Sequence, residues 1–478
     1  MVKIIVGILV VIIVLLLIAL LRTITIKGSK NKIVEKVNID KEREKKYGEV
    51  LSELIKVETV SSRYDEDRDK FFRFHKELEK QFPNIHRVCE KVVLNGSLLF
   101  KWSGKSKSRP IMFMSHHDVV EAPGNWTYPP FSGAIVDNVV WGRGTVDTKG
   151  NLFCFLMAIE EMISSGFIPS SDIYIASTCT EEWAGEGGSL ICNYLKENNV
   201  KLEMILDEGG MVVDEPIKGV KGTYALIGVM EKGIGDIKIV AKGNGGHASA
   251  PPKKSPITRL AGFINEVEKS NPFKVEFNST VTEMFRRMTP NMNFGMKFIF
   301  ANLWLFKPLL KKFMPYISAT GSAMLQTTCA FTTQKGSEGL NVLPQEAYVT
   351  ANMRFIPHQG TDESIDVIRS IANKYELETE IISKSYPCPV VDYNSNCFKT
   401  VEETIKRYYP NVIPSPYVMT GGTDCKFFDE VCDNSIRFSP LRINHQQLDS
   451  IHAKDENIGV SALVIGVDFF KDIIENWK

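Results

Sequence analysis

The sequence predicts an α/β protein. Its first unit is a largely parallel sheet flanked by helices; an α+β unit is inserted into it, and an apolar helix stands at the N-terminus. Three observations predict this. Short apolar runs of strand length alternate with helical periodicity between residues 47 and 220. From about Lys221 the pattern changes to apolar/polar alternation, as in half-buried antiparallel strands. Ile4 to Leu21 is apolar without a break. At 478 residues the chain also exceeds what one core usually supports, so two folded units are expected. The boundaries are read as 1–22 membrane anchor, 23–46 linker, 47–220 first part of the main unit, 221–385 inserted unit and 386–478 return to the main unit.

The apolar run matches the lower end of a bilayer-spanning helix and has no polar face, unlike a core helix. A cleaved signal peptide is the alternative; its apolar core is usually shorter, and no A-x-A site precedes Arg22. A single-pass, uncleaved anchor is therefore expected. Arg22, Lys27, Lys30 and Lys32 favour a cytoplasmic body. The sequons at Asn95, Asn125 and Asn278 favour a lumenal one, so the membrane face stays open. Residues 23–46 are charged and lack apolar periodicity, which suits a linker or an exposed helix.

Tyr47–Val57 and Asp67–Phe82 follow as amphipathic helices, the second with the stripe Phe71, Phe72, Phe74, Leu78 and Phe82. Strand-like runs recur at Val92–Leu94, Leu98–Phe100, Ile111–Met114, Ile173–Ala176 and Met204–Leu206, with a helix at Gly150–Ser165. In the inserted unit, Gly233–Lys242 and Leu340–Phe355 read as strands, and Ser255–Ser270 and Asp362–Lys374 as helices. Phe294–Tyr316 is dense in bulky apolar residues and reads either as a buried helical hairpin or as a lipophilic surface for substrate or membrane. Helices at Phe398–Tyr408 and about Asn457–Trp477 close the chain.

Lys and Arg number 57, as do Asp and Glu, so no basic field marks a nucleic-acid binder. The nine cysteines are scattered without CxxC pairs, which argues against a disulfide framework and a Cys-rich metal site.

The polar clusters fall at strand ends, where open α/β sheets bind ligands. Ile111–Met114 leads into His116 and Asp118; residues two apart on a strand share a face. That suits a metal-ligating imidazole with a carboxylate behind it. Further clusters are Asp147 within Gly142–Gly150, the pair Glu181–Glu182, Asp207, and His452. Two imidazoles and three carboxylates form a natural set for two zinc or similar divalent ions, and a spare carboxylate can take the proton of an attacking water.

In their order along the chain, these motifs resemble the di-zinc aminoacylase and carboxypeptidase S family. Within it, carboxypeptidase S and the N-acyl-amino-acid hydrolases are similar also through Asn125–Phe131 and Asn302–Pro308. The resemblance implies that His116 and Asp207 hold one zinc, Glu182 and His452 the other, and Asp147 bridges them. It implies Glu181 as general base, Asp118 as the group orienting His116, and a cis Asp147–Thr148 bond. The inserted unit resembles the family's lid and dimerisation domain. There His247, in Gly245–Pro251, matches a histidine that stabilises an oxyanion, often across a homodimer. Arg354 matches an arginine that grips a substrate carboxylate. Asn341 and Gly422 are further substrate contacts, with tight-turn chemistry as the alternative. His117 is read as structural. His445 competes with His452, whose surroundings fit the family better.

The expectation is a membrane-anchored hydrolase that cleaves the amide bond to a C-terminal amino acid with a free carboxylate, on a peptide or an N-acyl amino acid. The apolar 294–316 segment suggests a preference for apolar acyl chains. The rivals are a dipeptidase or deacetylase for small polar substrates, and a tethered binding protein on an inactive scaffold. Zinc is the expected ion; cobalt or manganese suits the same donors.

Overall fold

A computed structural model of the chain describes residues 2–28, 40–64 and 67–477. Part of the expected 23–46 linker thus lies outside the described residues. Within them, the N-terminal helix runs to Thr25 and the next helix begins at Lys41.

At the centre of the main sheet, Ser106–His116 lies between Ser171–Thr178 and Met204–Asp207, all parallel, and Ser435–Arg437 extends this block in parallel. The flanks include antiparallel pairs, so the sheet is mixed, which corrects the expectation of a largely parallel sheet. On one side Ser97–Trp102 pairs antiparallel with Ser171–Thr178 and with Glu90–Leu94. Asn95 (φ 47°) and Gly96 (φ 93°) make the two-residue turn between Glu90–Leu94 and Ser97–Trp102. Asn-Gly favours that hairpin geometry because both positions need positive φ. On the other side Thr223–Glu231 runs antiparallel to Ser435–Arg437 and to Val212–Asp214, while pairing parallel with Ile413–Met419.

Alternation along Ser106–His116 feeds two cores. Ile111 and Phe113 face the helices Lys149–Ser164 and Val460–Asn476, where the Phe113 ring meets Phe470 edge-on at 5.1 Å. Met112 and Met114 face the helix Gly187–Glu197 through Ile191 and Leu195. Truncating a core ring such as Phe113 to alanine costs about 3–5 kcal/mol. The helices read from the sequence are found within a few residues, apart from Lys41–Lys56, which starts six residues before Tyr47, and Val460–Asn476, which follows a short strand at Asn457–Gly459; Gly187–Glu197 and Ser279–Met288 were not read.

A second, antiparallel sheet has the order Thr328–Lys335, Glu346–Phe355, Gly233–Lys242, Glu378–Lys384. Helices Pro256–Ser270 and Thr361–Lys374 cover it through Phe263 and Ile368. Lys232 stands where the main-sheet strand ending at Glu231 passes into the second-sheet strand beginning at Gly233. Its buried ammonium donates to the carbonyls of Ala323 (2.9 Å) and Gln326 (2.7 Å).

The segment read either as a buried helical hairpin or as a lipophilic surface forms two helices that are only partly buried. Helices Phe294–Phe300 and Leu303–Ile317 bury Phe300 and Met314 in a cluster where Phe300 stacks on Phe285 at 4.1 Å. The opposite side, with Phe294, Trp304, Leu309 and Phe313, is exposed. The N-terminal helix Val2–Thr25 buries only Ala19 and Thr23, and is long and apolar enough to cross a membrane.

Candidate metal centre

The parallel strands at the sheet's centre all end on one side, and the site is assembled there. Ser106–His116 delivers His116 as its last residue. Ser171–Thr178 leads into the short 3-10 turn Glu181–Trp183, and Met204–Asp207 ends on Asp207. Asp147 lies just before the helix Lys149–Ser164. His452 comes from the loop after the short helix His445–Asp449, in a left-handed conformation (φ 58°).

Asp147 sits between the two imidazoles. Its Oδ1 is 3.1 Å from His116 Nε2 and its Oδ2 is 3.1 Å from His452 Nε2. His452 Nε2 is also 3.0 Å from Glu182 Oε2, and His116 Nε2 lies 4.0 Å from Glu181 Oε2. Ligand atoms of His116, Asp147 and Glu182 all fall within 4.8 Å of one another. The Asp147–Thr148 peptide bond is cis, as the resemblance implied.

Buried carboxylates hold these groups. Asp118 accepts from the backbone N–H groups of Glu181 and Glu182 at 3.2 Å each and from Ser61 Oγ at 2.5 Å. His116 Nδ1 lies 2.8 Å from the Asp118 carbonyl oxygen and 3.5 Å from its carboxylate. Asp118 therefore ties the first histidine to the glutamate pair. Glu456 accepts from the N–H groups of Gly144, Val146 and Asp147 and from Arg143 Nη1. Glu231 accepts from Thr423 N–H at 3.0 Å and from buried Arg437 Nε at 3.1 Å, fixing the turn at Gly421–Thr423. Sequence reasoning assigned neither Glu456 nor Glu231 a role. Glu456 had a signal in the spacing after His452; Glu231 had none, because its partners are distant in the chain.

Charge in the cluster is strongly perturbed. Burial pushes the Glu181 carboxyl well above its ordinary range, and burial with Asp207 alongside does the same to Glu208. Burial alone would raise Asp147, but its bonds to His116 and His452 pull it below the carboxylate range. The same bond to Asp147, with that to Glu182, lifts His452 to about 10. With protein groups alone, charge balance here falls to protons; a divalent ion supplies it directly. The donors fit such ions: two imidazoles face carboxylates, and the buried oxygens Glu182 Oε1, Asp207 Oδ2 and Glu208 Oε2 have no hydrogen-bond partner among the described residues.

The cleft has a volume of about 490 Å³. It is lined by His116, Asp147, Glu181, Glu182 and His452 together with Arg354, Gly422, Ile234 and Met419. Arg354 and Ile234 are cross-strand partners in the second sheet, which thus reaches into the cleft. Asp207 is fully buried behind the lining, with its Oδ1 accepting the Glu208 N–H at 2.9 Å, and Glu208 is the neighbour that lines the cleft. His247 and Asn341 are not among the lining residues. His247 is exposed on the short strand Gly246–His247, paired to Val342–Leu343, and the Asn341 carbonyl accepts the Ala248 N–H. His117 is buried against Phe74 at 5.1 Å, with its Nδ1 2.8 Å from Ser177 Oγ.

An α/β sheet with a His–carboxylate donor set gathered at its strand ends defines a metal-dependent hydrolase. Residues 112–476 match the model described as Peptidase family M20/M25/M40, and the chain belongs to that family of metallopeptidases and amidohydrolases. The family is metal-dependent and typically dinuclear. The chain is 33% identical over 424 residues to a probable carboxypeptidase S-like 2 of Dictyostelium discoideum, covering 87% of this chain and 81% of the relative. It is 32% identical over 438 residues to the N-fatty-acyl-amino acid synthase/hydrolase PM20D1 of Homo sapiens, covering 90% and 87%. Among solved structures, an M20 family metallo-carboxypeptidase, Sso-CP2 of Sulfolobus solfataricus, superposes with a TM-score of 0.68 at 18% identity over 90% of this chain and 98% of its own.

Proposed function

We propose that the chain is a membrane-anchored di-zinc amidohydrolase. It cleaves the amide bond on the amino side of a C-terminal amino acid whose carboxylate is free, the acyl side being a peptide or an N-acyl group. One observation carries this reading: the His116–Asp147–His452 cluster, Glu181 and the Arg354 guanidinium line a single cleft. A cationic clamp beside a metal centre selects an anionic end and sets its amide bond at a fixed distance from the reacting groups.

In this reading His116 and Asp207 would hold one ion, Glu182 and His452 the other, and Asp147 would serve both. Bound there, the ions supply Lewis acidity toward the scissile carbonyl and toward water. Glu181 takes the proton of the attacking water and returns it to the leaving amine. Asp118 steadies His116 and the Glu181–Glu182 backbone together. Arg354 grips the substrate carboxylate, with Gly422 and Asn341 as further contacts. His247 faces outward from its own subunit, so it would donate to the oxyanion of a second subunit, in a homodimer built through the 221–385 lid unit. Residues 1–22 anchor the chain in the membrane.

Apolar acyl groups are the favoured substrates. The human relative is named for N-fatty-acyl amino acids, and Ile234, Met211 and Met419 give this cleft an apolar wall. The test is turnover of an N-acyl amino acid against the same compound with its carboxylate amidated, in the parent and in Glu181→Gln, with metal content measured on each sample. Hydrolysis confined to the free acid and lost in Glu181→Gln at unchanged metal content is expected. Equal turnover of the amide, or full activity in the variant, overturns the reading.

A further inference from the structure

We propose that the helix pair Phe294–Phe300 and Leu303–Ile317 is a second membrane contact that seats the body of the enzyme in the near leaflet. The proposal rests on the reading of Val2–Thr25 as a membrane helix.

The helix Val2–Thr25 does not stand apart from the body. Asn302, fully buried, donates from Nδ2 to the Ala19 carbonyl at 3.0 Å and to Thr23 Oγ1 at 3.1 Å. A groove of about 430 Å³ beside this joint is lined by Ile13, Leu16, Leu17, Leu20, Phe294 and Phe298. The body therefore flanks the membrane helix from Ile13 to Thr23. A helix of 24 residues is about 36 Å long at 1.5 Å per residue, and a bilayer's hydrocarbon core is about 30 Å thick. The flanked stretch spans about 15 Å of that length, roughly one leaflet. If the helix crosses the bilayer, in either orientation, Phe294 and Phe298 enter the leaflet beside it.

The rest of the pair suits that depth. Large apolar side chains continue from the groove onto open surface, from 47% exposed at Phe313 to 72% at Ile317, with Trp304, Leu309 and Tyr316 between. Lys311 and Lys312 stand within the same helix, where long cationic side chains can reach phosphate headgroups from an apolar face. Trp304 keeps a hydrogen bond from Nε1 to Asn302 Oδ1, the apolar body with a polar handle that favours the membrane boundary. These residues do not line the metal cleft, so the patch is not its substrate wall. Continuity with the membrane helix makes lipid the occupant, in preference to a second copy of the chain.

The test uses the full chain reconstituted in phosphatidylcholine vesicles, with an environment-sensitive fluorophore at Phe313→Cys or Ile317→Cys. Leu16→Cys reports on the membrane helix and Glu197→Cys on an exposed site of the main unit. Eight of the nine native cysteines are buried and Cys329 is half-buried, so the unsubstituted chain gives the labelling background. Expected is quenching by doxyl-labelled phosphatidylcholine several-fold above the Glu197 level at positions 313, 317 and 16. Quenching at 16 with Glu197-level signal at 313 and 317 overturns the proposal and leaves the anchor standing. Glu197-level signal at all three overturns both. Blue-shifted emission at 313 without lipid quenching means a second protein surface covers the patch, and overturns the proposal as well.

Discussion

Glu456 accepts the backbone N–H of Asp147 at 3.0 Å, although 309 residues separate the two in sequence. His452 and Glu456 come from one loop, so that loop supplies an imidazole to one side of Asp147 and a carboxylate to its main chain. Asp147 is thus held by the C-terminal segment at both its side chain and its main chain.

Glu456→Ala is expected to strip partners from three N–H groups and to leave the buried Arg143 guanidinium without its carboxylate. Breaking a buried pair in this way costs about 3–5 kcal/mol. Thermal unfolding should show a large fall. Glu456→Gln keeps the shape without the charge; its melting point should fall less, while affinity for divalent metal drops about 10–100-fold, as loss of a supporting partner typically does. A metal titration that leaves Glu456→Gln level with the parent would show that Asp147 needs no such support.

Glu181→Gln should separate binding from chemistry. The amide keeps the size of the side chain and its place on the turn held by Asp118. Turnover should fall by at least about 10²–10⁴-fold, the usual contribution of a positioned general base, with KM and bound metal little changed. Loss of metal in parallel with turnover would assign Glu181 to the donor set instead.

Arg354→Lys should weaken free-acid substrates about 10–100-fold in kcat/KM, because a point charge replaces a bidentate fork held by Asn352 at 3.2 Å from Nε. Carboxamide substrates, already poor, should be unaffected. A uniform loss on both would point to damage of the cleft rather than to a missing clamp.

Lys232 gives a pH signature away from the metal centre. Burial, with the Arg354 charge nearby, pulls its ammonium from 10.5 down to about 7. Between those values the unfolded chain holds a proton that the folded chain has released, so stability should rise with pH from about 7 toward 10.5. Below about 7 the folded state carries the buried charge in full. The slope is at most about 1.4 kcal/mol per pH unit. Denaturant unfolding of the parent across this range should show it, and Lys232→Met should lack it; equal slopes would remove Lys232 as the source.

The elements legible in the sequence were those whose signal is local. The alternating Gly233–Lys242 strand is found with the bounds read for it, and the apolar runs before His116 and Asp207 lie in strands. Strand direction was harder to read. The Asn95-Gly96 turn signal lay in plain view, yet the other antiparallel pairings depend on strands far apart in the chain, such as Ser435–Arg437 beside Thr223–Glu231. At the site, residue types at strand ends were readable, since metal-binding chemistry restricts which residues can stand there. The supports were less so: a carboxylate such as Glu231 acquires meaning only when Thr423 and Arg437 arrive from elsewhere. His247 and Asn341 show the remaining limit: both sit in stretches that match family motifs, yet the fold places neither in the lining of the cleft.

The most direct measurement is metal per chain and amide hydrolysis on the same purified sample, before and after chelation and again after zinc is restored. Two ions per chain should accompany turnover, both should vanish together, and both should return. Turnover of an N-acyl amino acid that persists after the metal has been removed would contradict the proposal that His116, Asp147, Glu182, Asp207 and His452 hold a catalytic metal pair.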